Sequence, residues 1–167
     1  MKHTISVLVE NHFGVLARVS GMFSARGYNI DSLCVGETED PSASRMTVVV
    51  HGDDRVLEQI VKQLKKMVDV IEVIDLTRES YVERELVMIK VAADAARRSE
   101  VMEIATIFRA KVVDISPDAI TVEVTGSEGK IKAFIDMMRP FGIRELVRTG
   151  RIAIARSAQE NGAEGES

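Results

Sequence analysis

Thr4-Ile5-Ser6-Val7-Leu8-Val9-Glu10, then Asn11-His12-Phe13-Gly14, then Val15-Leu16-Ala17-Arg18-Val19-Ser20-Gly21-Met22-Phe23 changes its hydrophobic period once, from two residues to between three and four. The first segment is rich in β-branched and aliphatic residues and sets Ile5, Val7 and Val9 on one face, as a strand does. After the polar break the apolar positions become 15, 16, 19, 22 and 23, the spacing of an amphipathic helix. Gly27 follows where a helix C-terminus favours a residue that accepts a left-handed backbone. Further on, residues 30–38 read as a strand, Glu39-Asp40-Pro41-Ser42 as a turn, and Arg45–His51 as a third strand. Gly52-Asp53-Asp54 places acidic groups at the start of a second helix, with Val56, Leu57, Ile60, Val61, Leu64 and Val68 as its apolar side. Val70–Leu76 closes the series as a fourth strand.

The order βαββαβ in one sheet is the ferredoxin-like split arrangement. It then recurs. Past the polar junction Thr77–Tyr81, the second series runs through a strand at Leu86–Val91 and a helix capped by Ser99. Strands at Lys111–Ile115 and Ile120–Thr125 follow, then a helix capped by Ser127 and ended by Pro140, and one last strand over 143–156. The expected class is therefore α+β, two tandem ferredoxin-like βαββαβ modules, 1–77 and 78–158. Gln159–Ser167 is a polar, Gly- and Glu-rich tail expected to be disordered.

Composition narrows the functions. The chain has 167 residues, 46% of them hydrophobic, only 4% aromatic, with a net charge of -4. No apolar run approaches the ~20 residues of a bilayer span, and no signal peptide opens the chain, so a cytoplasmic protein with no membrane partner is expected. Residues 1–77 carry 8 basic and 11 acidic groups, residues 78–156 carry 14 and 12, and the remainder carries three Glu. That balance, with no aromatics on Met46–Val50, argues against nucleic acid. A single Cys34 excludes a disulfide framework or a multi-thiolate metal site. His3, His12 and His51 are not at metal-ligand spacing, and no catalytic set or phosphate loop is found. Helices on one face of each sheet leave the other face and the edges open, with Leu8 and Val49 on the open side of the first, so side-by-side or face-to-face dimerisation is expected.

One turn stands out chemically. Glu10-Asn11-His12-Phe13-Gly14-Val15-Leu16 places unpaired helix amides behind a glycine, a place where a carboxylate can sit. Asn11 both donates and accepts hydrogen bonds, which suits a zwitterion. The same residues also read simply as a turn and a cap.

Asn11 through Leu33, with Gly27-Tyr28-Asn29-Ile30-Asp31-Ser32-Leu33 at its end, resembles an ACT domain, the amino-acid-sensing βαββαβ module. Together with Asp40-Pro41, Ser44-Arg45-Met46-Thr47, Leu57-Glu58-Gln59-Ile60, Gln63-Leu64-Lys65-Lys66 and Val82-Glu83-Arg84-Glu85-Leu86, it resembles the regulatory small subunit of acetolactate synthase over nearly the whole chain. The resemblance implies a non-catalytic homodimer that activates a large catalytic subunit and confers feedback inhibition by valine in branched-chain amino-acid synthesis. Residues 1–77 would be the ACT domain that binds effector and dimerises, and 78–158 a second, ACT-like regulatory domain. Thiamine diphosphate, Mg²⁺ and FAD would belong to the large subunit, with no cofactor or metal on this chain. Valine would lie at the seam between two ACT modules, held by Asn11 and the amides of Gly14, Val15 and Leu16 from one protomer and by Asn29 and Ile30 from the other, with Val35 beside its side chain. An ACT sensor of another amino acid is the alternative. An acylphosphatase-like hydrolase using Asn11, Gly14 and Arg18 is a remote one.

Overall fold

The computed structural model describes residues 1–157, so the expectation for the tail lies outside the described residues. The first unit comprises β1 (Lys2–Glu10), α1 (Val15–Ala25), β2 (Ile30–Glu37), β3 (Ala43–His51), α2 (Asp54–Lys65) and β4 (Val70–Asp75), closed by a 3₁₀ turn at Leu76–Arg78. Its antiparallel sheet has the order β2-β3-β1-β4, so β2 and β4 are the edges. The second unit comprises β5 (Tyr81–Ala92), α3 (Arg98–Ile107), β6 (Lys111–Ile115), β7 (Ala119–Gly126), α4 (Glu128–Met138), β8 (Ile143–Arg148) and β9 (Ile152–Ala155). Its strands run β6-β7-β5-β8, with β9 paired to the first half of β5. The α+β class and the tandem βαββαβ order are as expected.

Each sheet buries one face under its two helices. Ile5, Val7, Val9, Met46, Val48 and Val50 meet Val15, Val19 and Phe23 of α1 and Leu57, Ile60 and Leu64 of α2. The second core is built the same way around Ile89, Ile120, Val122, Phe134 and Met138. The scarcity of aromatics is met by aliphatics at alternate strand positions. Phe134, fully buried, stacks edge-to-face on Phe108 at 5.3 Å.

The helix ends show which local signals hold. Gly27 is left-handed at φ 70°, Gly27 N–H donates to the Ser24 carbonyl and Tyr28 N–H to the Phe23 carbonyl. This paired closure satisfies the carbonyls that a helix leaves open. Asp53 accepts the Val56 N–H at 2.9 Å and starts α2. Four expectations need correction. The second helix stops at Lys65, and Val68 stands 91% exposed outside it. Ser99 lies inside α3, whose start is organised by Asp94 accepting the N–H groups of Ala96 and Arg97. Ser127 does occupy the N-cap position of α4, but its hydroxyl makes no cap bond. The single last strand is two, broken at Thr149-Gly150, where Gly150 has φ 83°.

Thr4, Ser6, Thr47 and Val49 lie on the helix-free face of the first sheet, and all are buried within one chain, while Leu8 is half-buried. Part of that face is covered by the chain's own second unit, through β9 and the turn before it.

Candidate functional site

The β1–α1 turn is held at both ends of its polar run. Asn11 N–H donates to the Ser42 carbonyl, and its side-chain amide donates to Glu37 Oε1 at 3.1 Å and to the Pro41 carbonyl at 2.9 Å. Both amide protons are therefore committed within the protomer. What Asn11 retains is its carbonyl oxygen, an acceptor for an ammonium group rather than a donor to a carboxylate.

Gly14 is the N-cap residue of α1, left-handed at φ 84°. Among the described residues no side chain caps this helix, and its first turn holds no acidic residue, in contrast to α2 with Asp53 and Asp54. Val15 N–H donates to the His12 carbonyl at 3.4 Å, and the other first-turn amides of an uncapped N-terminus leave donors and a partial positive charge pointing out of the turn. A Cβ on Gly14 would come within 2.9 Å of Arg18 Nη1, so the backbone is approached closely from one side already.

Beside the turn lies a cluster that sequence reading missed. Arg18 Nε donates to Asp69 Oδ2 at 2.6 Å, and His12 Nε2 lies 3.0 Å from Glu10 Oε2 and 3.2 Å from Asp69 Oδ1. The hydrogen bond from Arg18 holds the Asp69 carboxyl below its usual range. Contact with Glu10 raises the pKa of His12. Asp69 sits just before β4, over fifty residues from His12, so only the strand order β1-β4 reveals the meeting. Arg18 is thus held through Nε by Asp69 as a brace for the turn, with its Nη1 standing beside Gly14.

The remaining expected residues fall into two groups. Val15 is buried in the core and offers the site only its backbone, while Leu16 is 46% and Val35 40% exposed. Val35, near the end of β2, lies toward the Asn11 end of the sheet, where Glu37 meets Asn11. Asn29 and Ile30 lie at the start of β2. Asn29 is exposed and donates to Asp31 Oδ1 at 3.4 Å, and Ile30 is half-buried against the core. Seven residues of strand, about 23 Å, separate the two ends. Within one chain the structure therefore assembles Asn11, Gly14, Val15, Leu16 and Val35 in one region and leaves Asn29 and Ile30 at the opposite end.

Comparison with known proteins speaks to the whole chain. Residues 5–72 match the family model described as an AHAS small subunit-like ACT domain, and residues 84–157 match the one described as the small subunit of acetolactate synthase. A probable acetolactate synthase small subunit of Archaeoglobus fulgidus is 57% identical over 93% of this chain and 98% of its own length. The acetolactate synthase small subunit of Aquifex aeolicus is 53% identical over 93% of this chain and 81% of its own. The crystal structure of the acetolactate synthase small subunit from Thermotoga maritima superposes with a TM-score of 0.87 at 40% identity, covering 95% of this chain and 99% of that one. The two family matches fall on the two βαββαβ units in turn, and the chain belongs to the acetolactate synthase small-subunit family.

Proposed function

We propose that the chain is the regulatory subunit of an acetolactate synthase, binding valine between two copies of its first unit and passing the signal to a catalytic large subunit. The observation that carries this reading is the uncapped N-terminus of α1 opening at Gly14, set at one end of β2, an edge strand whose outer side has no partner among the described residues and whose other end bears Asn29 and Ile30. Two β2 edges paired antiparallel about a two-fold axis bring the Asn11–Gly14 end of each protomer beside the Asn29–Ile30 end of its partner. That arrangement completes two identical sites and gives β2's free edge a partner.

In such a site the amides of Gly14, Val15 and Leu16 hold the carboxylate. The Asn11 carbonyl oxygen and Asn29 orient the ammonium. Leu16, Val35 and Ile30 supply apolar surface to the isopropyl group. A carboxylate at a partly buried helix terminus gains up to ~2 kcal/mol, and burying a valine-sized side chain gains ~1.5–3 kcal/mol. After ordering costs, that corresponds to roughly micromolar to sub-millimolar affinity. One methylene is worth only ~1–3 kcal/mol, so leucine and isoleucine are expected to be weaker effectors. Acyl-transfer chemistry, with thiamine diphosphate, Mg²⁺ and FAD, is assigned to the large subunit, and no cofactor is assigned to this chain. Among the described residues no helix is long and apolar enough to cross a membrane, and a cytoplasmic setting fits a biosynthetic subunit.

The test is calorimetry of the purified chain with L-valine, D-valine and the other branched-chain amino acids, followed by the same effectors on the reconstituted holoenzyme. Stereospecific binding near one valine per chain, valine inhibition of the complex and no pyruvate turnover by the chain alone are expected. Acetolactate formation without the second subunit would overturn the reading, and preferential binding of an unrelated amino acid would favour the other-sensor alternative. Asn29→Ala is expected to weaken valine binding about tenfold, the loss of one hydrogen bond to a charged group, while light scattering still reports a dimer. Dissociation to monomers would make Asn29 an interface residue instead.

A further inference from the structure

Ser32 lies two residues beyond Ile30 on β2, and its hydroxyl points at the second unit. Ser32 Oγ accepts the backbone N–H of Arg151 at 2.9 Å. The residue before it, Gly150, presses on the same atom: a Cβ there would sit 2.8 Å from Ser32 Oγ, and its φ of 83° is one that only glycine adopts without strain. The turn between β8 and β9 is thus shaped to touch β2.

What the turn carries next is a buried arginine. Arg151 is 9% exposed, with Nε 3.0 Å from Glu83 Oε2 on β5, Nη2 3.0 Å from Glu128 Oε2, and Nη1 3.5 Å from Thr4 Oγ1 on β1. Glu128 begins α4, and its N–H donates to Glu83 Oε1 at 3.3 Å, while Lys2 Nζ holds its other oxygen at 2.7 Å. One contact to β2 is therefore continuous with a charge network that spans β1, β5 and α4. Beside it lies a cavity of about 370 Å³ lined by Lys2, Ser32, Val49, Glu128 and Arg148, which leaves the turn room to move.

The strand on the other side of Ser32 also has a joint. The β2–β3 register slips between Ile30 and Ser32, leaving Asp31 as an extra residue whose carboxylate contacts the His51 ring. A bulge interrupts the ladder locally and bends the strand at that point.

We propose that Ser32, through the Arg151 N–H and the Gly150 turn, is the positioning residue that couples occupancy at the start of β2 to the second unit, so that binding and inhibition are separable at this contact. The proposal rests on the effector reading above, because it takes Asn29 and Ile30 as half of the site. Effector binding that moves the start of β2 relative to β3 changes the Ser32–Arg151 contact, and the Arg151–Glu83–Glu128 network carries that change to β5 and α4. An effector shifts such an equilibrium only by binding the two arrangements unequally, and the contact is where the inequality is felt.

The experiment compares wild type, Ser32→Ala and Gly150→Ala in the holoenzyme, with valine binding and valine inhibition measured separately and amide exchange followed over residues 148–156. For Ser32→Ala, valine affinity and basal activation of the large subunit are expected within about twofold of wild type, while the valine concentration for half-inhibition rises at least about fivefold, the lower end of ordinary coupling. Gly150→Ala is expected to shift inhibition in the same direction, because the added methyl wedges the turn away from Ser32. Without valine, the Arg151 amide of Ser32→Ala is expected to exchange faster than in wild type, which reads the contact independently of any effector. Binding and inhibition lost together would place Ser32 in the effector site and overturn the proposal, as would both being unchanged. Wild type that binds no valine would instead remove the effector reading, whatever the exchange shows at Arg151.

Discussion

Gly14→Asp is expected to abolish valine inhibition of the holoenzyme while leaving the chain folded and still able to activate its partner. Gly14 sits at φ 84°, a conformation that costs most L-residues roughly 1–2 kcal/mol but that aspartate tolerates better than other side chains. Its new Cβ would stand 2.9 Å from Arg18 Nη1, the free end of a long side chain that can swing aside. Folding cost is therefore modest, on the order of 1 kcal/mol. The effect on the site is not. The aspartate carboxylate would sit at the uncapped amides of α1, the one place assigned to the valine carboxylate, and would satisfy them from within the chain. A competing ligand would then have to displace a tethered anion and approach against its charge. At least about a hundredfold loss of valine affinity is expected, combining the ~2 kcal/mol carboxylate term with like-charge repulsion. Calorimetry and inhibition assays check this, and Gly14→Ala separates strain from charge: it carries at least the same backbone cost but leaves the amides open, so a weaker valine response should survive. Undiminished inhibition in Gly14→Asp would remove the carboxylate from this helix terminus.

The features legible in the sequence were those written in local periodicity. Ile5, Val7 and Val9 alternate because one sheet face is buried, and Val15, Val19 and Phe23 recur because one helix face packs against it. Gly27 announced the end of α1 because a single residue type fits that backbone. Misreadings came where several residues compete for one local job. Ser99 and Asp94 are both able to cap a helix, and the aspartate wins by reaching two amides at once. Val68 continues the helical spacing on paper, but α2 has already ended at Lys65 and leaves it in solvent. Long-range features were illegible for a different reason. Arg18 meets Asp69, and Ser32 meets Arg151, through strand order and the docking of one unit on the other. Neither leaves a mark in the spacing of residues. Leu8 and Val49, apolar on the open face, signalled that this face meets something, but not that the second unit covers part of it. Of the candidate site, the residue types at Asn11 and Gly14 could be named from sequence. That the amide protons of Asn11 are already spent on Glu37 and Pro41 could not.

Arg151→Ala is expected to be the most destabilising single truncation in the seam between the two units, by about 3 kcal/mol, the low end for breaking a buried ion pair. The low end applies because the two carboxylates it leaves behind differ. Glu83 has a side chain only 19% exposed and would lose its cation, whereas Glu128, at 46%, keeps Lys2. For a chain of this size the change corresponds to a fall in Tm of roughly 6–12 °C. Arg151→Met retains most of the stem that packs over the first sheet, so the difference between the two variants isolates packing from charge. Acid gives a further check. The Glu128 carboxyl is held below its usual range, first by the hydrogen bond from Lys2 and then by the charge of Arg151. A depressed carboxylate contributes stability that is complete above its unfolded pKa and is lost as pH falls through the folded one. Removing Arg151 takes away part of that contribution, so the gap between wild type and Arg151→Ala should be widest near neutral pH. It should narrow as pH falls below the ordinary Glu128 value of about 4.5 toward its depressed folded one. A gap that stays constant from neutral pH down to pH 3.5 in urea titrations would mean that Arg151 joins the two units by packing alone, and that its charges contribute nothing to the seam.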